Sequence, residues 1–348
     1  MNNNKTVPVF FAVDDNYVPF LLVTLESITS NASKDNQYIF HVLNNGISES
    51  NIERLNQYNH DNFKVELVNV AKAMQKIGDA LHTRDYYSKT TYYRLFIPNM
   101  FPQFDKALYL DCDIAVQGDV AELYSYELGS NYVGAIADES VSIVPEFSAY
   151  TKNFLGVDGN RYFNAGILVM NLKRLREIHF ESKFVNLISS YTFYVAQDQD
   201  YLNVICKDRV TYIPKIWNKM PFEDKNMNLA DIKLIHYNLS YKPWHYDNII
   251  YQEVFWKYAK QAGCEQLMQQ LLADFTDDKK QKDAMGGKKL IETAYELSIQ
   301  KDPFKSLLES GEINPDTYLR RDALDPDKVF SEFVEKLGAE ISKKFNKN

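Results

Sequence analysis

Short apolar runs alternating with stretches of helical spacing constrain this chain more than any other feature. Val7 to Val13, Gln37 to Leu43 and Phe63 to Val70 have the length and side-chain content of buried strands. Between them, Pro19 to Ser30 puts Leu21, Leu22, Leu25 and Ile28 near helical spacing, and Ser48 opens a second helix with Glu49 and Glu53 in its first turns, where acidic groups suit the helix dipole. Strand-helix alternation of this kind predicts an α/β fold with a largely parallel sheet covered on both faces. Ligands of such sheets lie beyond the carboxyl ends of the strands, so the residues found there carry the functional reading.

No Gly-x-Gly-x-x-Gly follows the first strand and no Gly-x-x-x-x-Gly-Lys-Ser/Thr occurs, which disfavours a dinucleotide-type site and a phosphate loop. The first strand instead runs into Ala12-Val13-Asp14-Asp15-Asn16-Tyr17. Asp14 can accept from ribose hydroxyls or a base N–H, Asn16 can read a base edge and Tyr17 can stack; the competing reading makes Asp15 or Asn16 an N-terminal helix cap.

Ala107 to Leu110 is another short apolar run, and it ends in Asp111-Cys112-Asp113. An extended chain sends Asp111 and Asp113 to one side and Cys112 to the other. Two like charges at the end of a buried strand repel, so a cation is expected between them, most simply a divalent metal. The alternative is that one carboxylate caps the next segment and the other is solvated.

Further polar residues follow the later apolar runs. Arg94 lies in Ser88 to Pro98, expected as a helix, and is either a surface cation or a partner for an inward carboxylate or phosphate. Asp138 and Glu139 stand at the end of Tyr132 to Ala137, and small Ala165 and Gly166 after Asn164 would let a ligand approach the backbone. Gln197-Asp198-Gln199-Asp200 precedes an apolar helix, which Asp198 could simply cap. Ile232 to Ile235 is a late strand ending in His236, either a ligand or a satisfied core histidine, and Lys242 is an ordinary surface lysine unless a phosphate lies beside it.

The net charge of −8 argues against a general nucleic-acid binder. Cys112, Cys206 and Cys264 lack Cys-x-x-Cys spacing, so neither a disulfide framework nor a thiolate zinc site is indicated and a reducing compartment fits. Val7 to Val13 is too short to span a bilayer and stops at Asp14-Asp15, so a soluble, cytoplasmic protein is expected, with work at the inner face of the cell membrane left open.

Six segments in order, Phe11 to Tyr17, Tyr93-Arg94-Leu95, Leu108 to Asp113, Phe163 to Gly166, Gln197 to Asp200, and His236-Tyr237 with Lys242-Pro243-Trp244, resemble glycosyltransferase family 8. That family includes bacterial lipopolysaccharide galactosyl- and glucosyltransferases and glycogenin. The resemblance spans roughly residues 7 to 250 and implies a GT-A fold, a Rossmann-like, mostly parallel sheet flanked by helices. It also implies a UDP-glucose or UDP-galactose donor, a manganese-type cofactor, a glycan or glycoprotein acceptor and transfer with retention. By position, Asp111, Asp113 and His236 match the metal ligands; two carboxylates and an imidazole suit Mn²⁺ better than Mg²⁺. Ala12, Val13, Asp14, Asn16 and Tyr17 match the uridine site, with the Cys112 backbone against the ribose. Arg94, Asp138, Asn164, Ala165, Asp198 and Gln199 match the donor-sugar region, and Lys242 the diphosphate. Gln199 corresponds to the position nearest the anomeric carbon, which favours front-face attack over Asp198 as a covalent nucleophile. Where the family often has glycine, three residues after the histidine, this chain has Leu239.

Two other classes compete. Haloacid-dehalogenase-type phosphatases also use Asp-x-Asp after a strand, but on the chain's first strand and with Thr or Val where Ala115 stands here. A catalytically silent UDP-sugar-binding or scaffold protein is the non-enzyme alternative.

Residues 1–250 are thus expected as the catalytic domain and 251–348 as a helical C-terminal appendage. Gln252 to Phe275 looks helical, while Thr276 to Lys289, charged and interrupted by Gly286-Gly287, is expected as an exposed linker. Asp327 to Lys347 puts Phe330, Phe333, Val334, Leu337 and Ile341 on one stripe, suited to packing at home or to a partner subunit, acceptor or anionic membrane surface.

Overall fold

The computed structural model describes residues 5–75, 89–316 and 334–335, so the stripe expected at Asp327 to Lys347 falls almost wholly outside the described residues. A seven-stranded sheet organises the chain. Its strands are β1 (Thr6–Val13), β2 (Gln37–Asn44), β3 (Phe63–Asn69), β4 (Ala107–Leu110), β6 (Val133–Ala137), β7 (Phe163–Met170) and β8 (Val210–Tyr212), in the order β3-β2-β1-β4-β7-β6-β8. β3, β2, β1 and β4 run parallel, β7 is antiparallel to both β4 and β6, and β8 is parallel to β6. The expected mostly parallel α/β sheet is present, with β7 as its one reversed strand.

A second, two-stranded sheet pairs β5 (Ile114–Val116) with β9 (Leu234–His236), placing Ile114 opposite His236. Asp111-Cys112-Asp113 is therefore the crossing from β4 in the large sheet to β5 in the small one. A crossing frees backbone groups from both ladders, and buried ones must find partners. Helix α1 (Val18–Asn31) supplies them. The Thr24 hydroxyl donates toward the Cys112 and Ile114 carbonyls, 2.9 and 3.1 Å away, and Ser27 Oγ accepts from the Val116 N–H at 2.9 Å. Most of the other positions of α1 are buried and apolar, and Thr24 and Ser27 are themselves buried, so these two hydroxyls serve the crossing from inside the core.

Helix α2 is Glu49–Asn56, and Ser48, in extended conformation, precedes it as expected. The helix expected from Ser88 is in its described part a 3₁₀ segment, Lys89–Phe96, followed by one α-turn, Ile97–Met100. Pro98 marks the change, since it suits the first turn of a new helix and not the interior of a continuing one. Helix α3 (Phe180–Ser190) and helix α4 (Gln197–Ile205) pack beside β7, α4 including the whole Gln197–Asp200 cluster.

Beyond residue 250 come α5 (Gln252–Gln261), α6 (Glu265–Ala273), α7 (Asp277–Ser298) and α8 (Phe304–Ser310). The helix expected over Gln252 to Phe275 is broken at Gly263, whose φ of +65° is left-handed and suits glycine. The linker expected over Thr276 to Lys289 is corrected: nearly all of it belongs to α7. Asp277 and Asp278 occupy the first turn of α7, and Ala294 and Leu297 of its second half pack into the core, so tertiary burial outweighs the two glycines. The core crosses residue 250, with Val254, Phe255, Tyr258 and Met268 in one cluster with β1, and Ala294 and Phe304 in another with β7. No helix among the described residues is long and apolar enough to cross a membrane.

Candidate active site

The carboxyl ends of β1 and β4, the crossing and the end of β9 meet at one place. Two cavities open there and share Thr91, Arg94, Asp111 and Asp113 in their walls. The first, of about 300 Å³, is lined by Ala12, Val13, Asp14, Tyr17, Tyr109 and Cys112 besides the shared residues. The second, of about 330 Å³, adds Asp138, Asn164, Ala165, Gly166, Asp198, Gln199 and His236. Residues expected as a nucleotide site and as a sugar site thus line adjoining spaces. Asn16, exposed in the 3₁₀ turn Asp15–Tyr17, and Lys242 line neither cavity.

Asp14, and not the Asp15 or Asn16 expected as a possible cap, caps that turn by accepting from the Tyr17 N–H at 3.0 Å. Asp15 instead accepts from the Ser48 backbone and hydroxyl and from Asn51, tying the turn to the start of α2. Tyr17 stays 37% exposed, its ring 4.8 Å from Phe20, which in turn lies 4.4 Å from Trp244. Tyr17 lines the first cavity.

Asp111, Asp113 and His236 each offer an atom within 4.8 Å of the others. His236 Nε2 is 3.2 Å from Asp113 Oδ1 and 3.8 Å from Asp111 Oδ2. Its other nitrogen, Nδ1, lies 3.0 Å from the Asn218 side-chain oxygen, which fixes the ring with Nε2 toward the carboxylates. Gly166 makes room for this convergence, because a Cβ there would stand 2.5 Å from both Asp111 Oδ2 and His236 Cε1. An O,O,N donor set backed by a hydrogen-bonded imidazole fits a divalent ion. Lys242, expected as a surface or phosphate lysine, is buried and pairs with Asp113 Oδ2. Burial works to raise the Asp113 pKa, but Lys242 and then His236 outweigh it and hold the carboxyl well below the usual range.

Arg94 is the buried partner of inward carboxylates. Its guanidinium reaches Asp111 Oδ1 at 3.1 Å and Asp198 Oδ2 at 3.2 Å, donates to the Ala165 carbonyl at 2.6 Å and lies over the Tyr109 ring. Asp198 does not cap α4. Burial lifts its pKa to about 6 despite Arg94, with Asp111 adding to the rise.

Asp138 accepts from the Ser140 backbone and hydroxyl through one oxygen and from Asn164 and Gln199 through the other. Gln199 completes the network, its side-chain oxygen accepting from Asn164 at 3.2 Å and from the Ala165 N–H at 2.9 Å. Each amide and carboxylate is thereby held in one orientation.

Several residues of this region have partners that the sequence does not assign. Asn218 and Tyr109, whose hydroxyl donates to Asp111 Oδ1 at 2.9 Å, are separated from any motif or hidden within an apolar run. Asp200 is fully buried and accepts from Tyr150, Tyr162 and the Ala196 N–H, closing the first turn of α4. Lys219 is 0% exposed and donates to both oxygens of Glu139 at 2.9 Å, tying the segment beside β9 to the one that carries Asp138. Leu239 has φ +51°, so the turn that would suit glycine there persists with leucine in it.

Comparison with known proteins gives a consistent result. The profile described as glycosyl transferase family 8 matches residues 8–248, more than half of the chain. A lipopolysaccharide 1,2-glucosyltransferase of Escherichia coli is 28% identical over 262 residues, covering 70% of this chain and 75% of that protein. Among solved structures, the galactosyltransferase LgtC, in complex with donor and acceptor sugar analogues, superposes with a TM-score of 0.59 at 29% identity, covering 74% of this chain and 95% of its own. The bifunctional glycosyltransferase WbbM superposes with a TM-score of 0.65 at 28% identity, covering 77% of this chain; the chain spans about half of that longer protein.

Proposed function

This chain belongs to glycosyl transferase family 8, and on that premise we propose that it moves glucose or galactose from a UDP-sugar to a glycan or glycoprotein acceptor, with retention at the anomeric carbon. The observation that carries the reading is the Asp111, Asp113 and His236 group, cleared by Gly166 and standing where the two cavities join. A Mn²⁺ ion held by these three residues would supply Lewis-acid charge at the leaving diphosphate.

In this reading Ala12, Val13, Asp14 and Tyr17 hold the uridine, with Asn16 at its exposed margin and the Cys112 backbone at the ribose. Lys242, already beside Asp113, adds a second cation where the diphosphate charge develops. Arg94, Asp138, Asn164, Ala165, Asp198 and Gln199 hold the donor sugar. The Gln199 oxygen is engaged by two donors, so it acts as a fixed dipole toward positive charge at the anomeric carbon and not as a nucleophile. The acceptor hydroxyl then attacks from the face that UDP leaves, and a leaving phosphate oxygen takes its proton. The C-terminal helices serve acceptor or partner contact.

The test is UDP release from a panel of nucleotide sugars with Mn²⁺, with chelator and with Asp113→Ala. Release from one UDP-hexose, lost in both controls, is expected. UDP binding in Mn²⁺ with no release, even with candidate acceptors present, would make the chain a binding or scaffold protein.

A further inference from the structure

The family match ends at residue 248, yet α7 reaches the candidate site from beyond it. Leu290 of α7 lines the second cavity beside Leu239. Two turns earlier on the same helix, the Asp283 carboxylate accepts from the Ser240 hydroxyl at 3.1 Å and from the Tyr246 hydroxyl at 2.5 Å. Ser240 and Tyr246 bracket Lys242 in sequence. A ring contact reinforces the attachment, with His245 stacked on Phe275 at 4.1 Å and 6° just before α7 begins.

The segment 238–246 needs such support. It contains no strand or helix, and it includes Leu239, 51% exposed and in the left-handed region that a leucine adopts at a cost. Trp244, against Phe20 and Phe255, is its anchor to the main core. Trp244 fixes one point, and Asp283 fixes the chain on both sides of the lysine.

We propose that α7 is an active-site element in which Asp283 is a positioning residue, holding the 238–246 segment so that Lys242 faces the diphosphate of the donor. The inference rests on the reading of Lys242 under the proposed function, and extends it to a helix outside the family match. Asp283 touches neither donor nor metal. Its effect is therefore confined to ligands that carry the diphosphate.

The experiment compares the full-length protein with Asp283→Ala, Asp283→Asn and Lys242→Ala, measuring amide hydrogen exchange across residues 238–246 and the Kd of UDP and of uridine in Mn²⁺. Asp283→Ala is expected to speed exchange in that segment and to weaken UDP roughly five- to tenfold, the scale of losing the pre-organisation of one charge-assisted contact, with uridine unchanged. Asp283→Asn, which keeps one acceptor oxygen, should recover part of the loss. Unchanged exchange in Asp283→Ala overturns the proposal by itself, as does equal weakening of UDP and uridine, the mark of a purely structural role. UDP weakened by Lys242→Ala but not by Asp283→Ala also overturns it. UDP unaffected by Lys242→Ala would instead overturn the lysine's role in the donor site, and with it the positioning role of Asp283.

Discussion

Asp113 and Asp198 stand on either side of the Arg94–Asp111 pair, and the protein compensates them in different ways. Asp113, largely buried, has a basic side chain against each oxygen, Lys242 on one and His236 on the other. Asp198 has a single guanidinium that it shares with Asp111, and Asp200, two residues on, has no cation and accepts only from neutral donors. The first carboxyl is held well below its usual pKa, whereas burial lifts the other two to about 6. The metal-facing side is thus built for permanent charge, and the α4 side carries charge at neutral pH against an opposing desolvation cost.

The sharpest way to break the metal-facing side is Gly166→Ala. The new Cβ must displace Asp111 or His236, so Mn²⁺ affinity and turnover should fall by roughly a hundredfold or more, in line with losing the geometry of a metal site. Calorimetric Mn²⁺ titration of the variant checks this, and unchanged affinity would remove Gly166 from the argument.

The α4 side breaks through pH. A carboxyl whose folded pKa is raised to about 6 holds its proton in the native state between about pH 4 and 6 while the unfolded chain has released it. Its stabilising effect is complete below the unfolded pKa and is lost as pH rises through 6, roughly 3 kcal/mol for each of Asp198 and Asp200. Asp113 has the opposite sign, contributing above the unfolded pKa and failing as pH falls toward its depressed folded value. Urea unfolding should therefore show stability declining from pH 4.5 to 7, with Asp198→Asn removing about half of the decline. An unaltered slope in that variant would mean that Asp198 titrates near its ordinary value.

Asp200→Asn sharpens the same contrast through hydrogen bonding. Asparagine presents an amide N–H₂ to an all-donor niche, so about 2 kcal/mol of stability should be lost at neutral pH, partly offset by removal of the desolvated charge. Thermal melts would show a clear decrease in Tm. The smallest effect is expected at Leu239→Gly, where relief of the left-handed strain and the greater freedom of glycine in the unfolded chain nearly cancel. A net gain of about 0.5 kcal/mol is expected, and a loss above 1 kcal/mol would show that the Leu239 side chain is held by contacts.

Much of this architecture was legible in advance where the signal was local. Thr6–Val13, Gln37–Asn44, Phe63–Asn69 and Ala107–Leu110 follow from apolar runs a few residues long, whereas Asp111 and Asp113 come together at the bend where the chain crosses from β4 to β5 and not by alternation along one extended segment. Other expectations failed where local chemistry was outvoted. The charged, glycine-containing stretch around Gly286 suited a linker in isolation, but burial of Ala294 and Leu297 stabilises one helix through it. Ser88 to Pro98 had the composition of a helix, but Pro98 begins a new turn and the described part before it is wound as 3₁₀.

By itself the sequence determined the layered α/β order, the polar residues at the strand ends and the family, because period, apolar run length and motif order are properties of contiguous chain. Only the tertiary structure decided that Asn218 orients His236, that Gly166 is small for the sake of Asp111 and His236, that Lys242 pairs with Asp113, and that Asp283 reaches back to residues 240 and 246. Each of these joins segments far apart in the chain, and their partners are selected by the free energy of packing and of satisfying buried polar groups, which no stretch of sequence expresses alone.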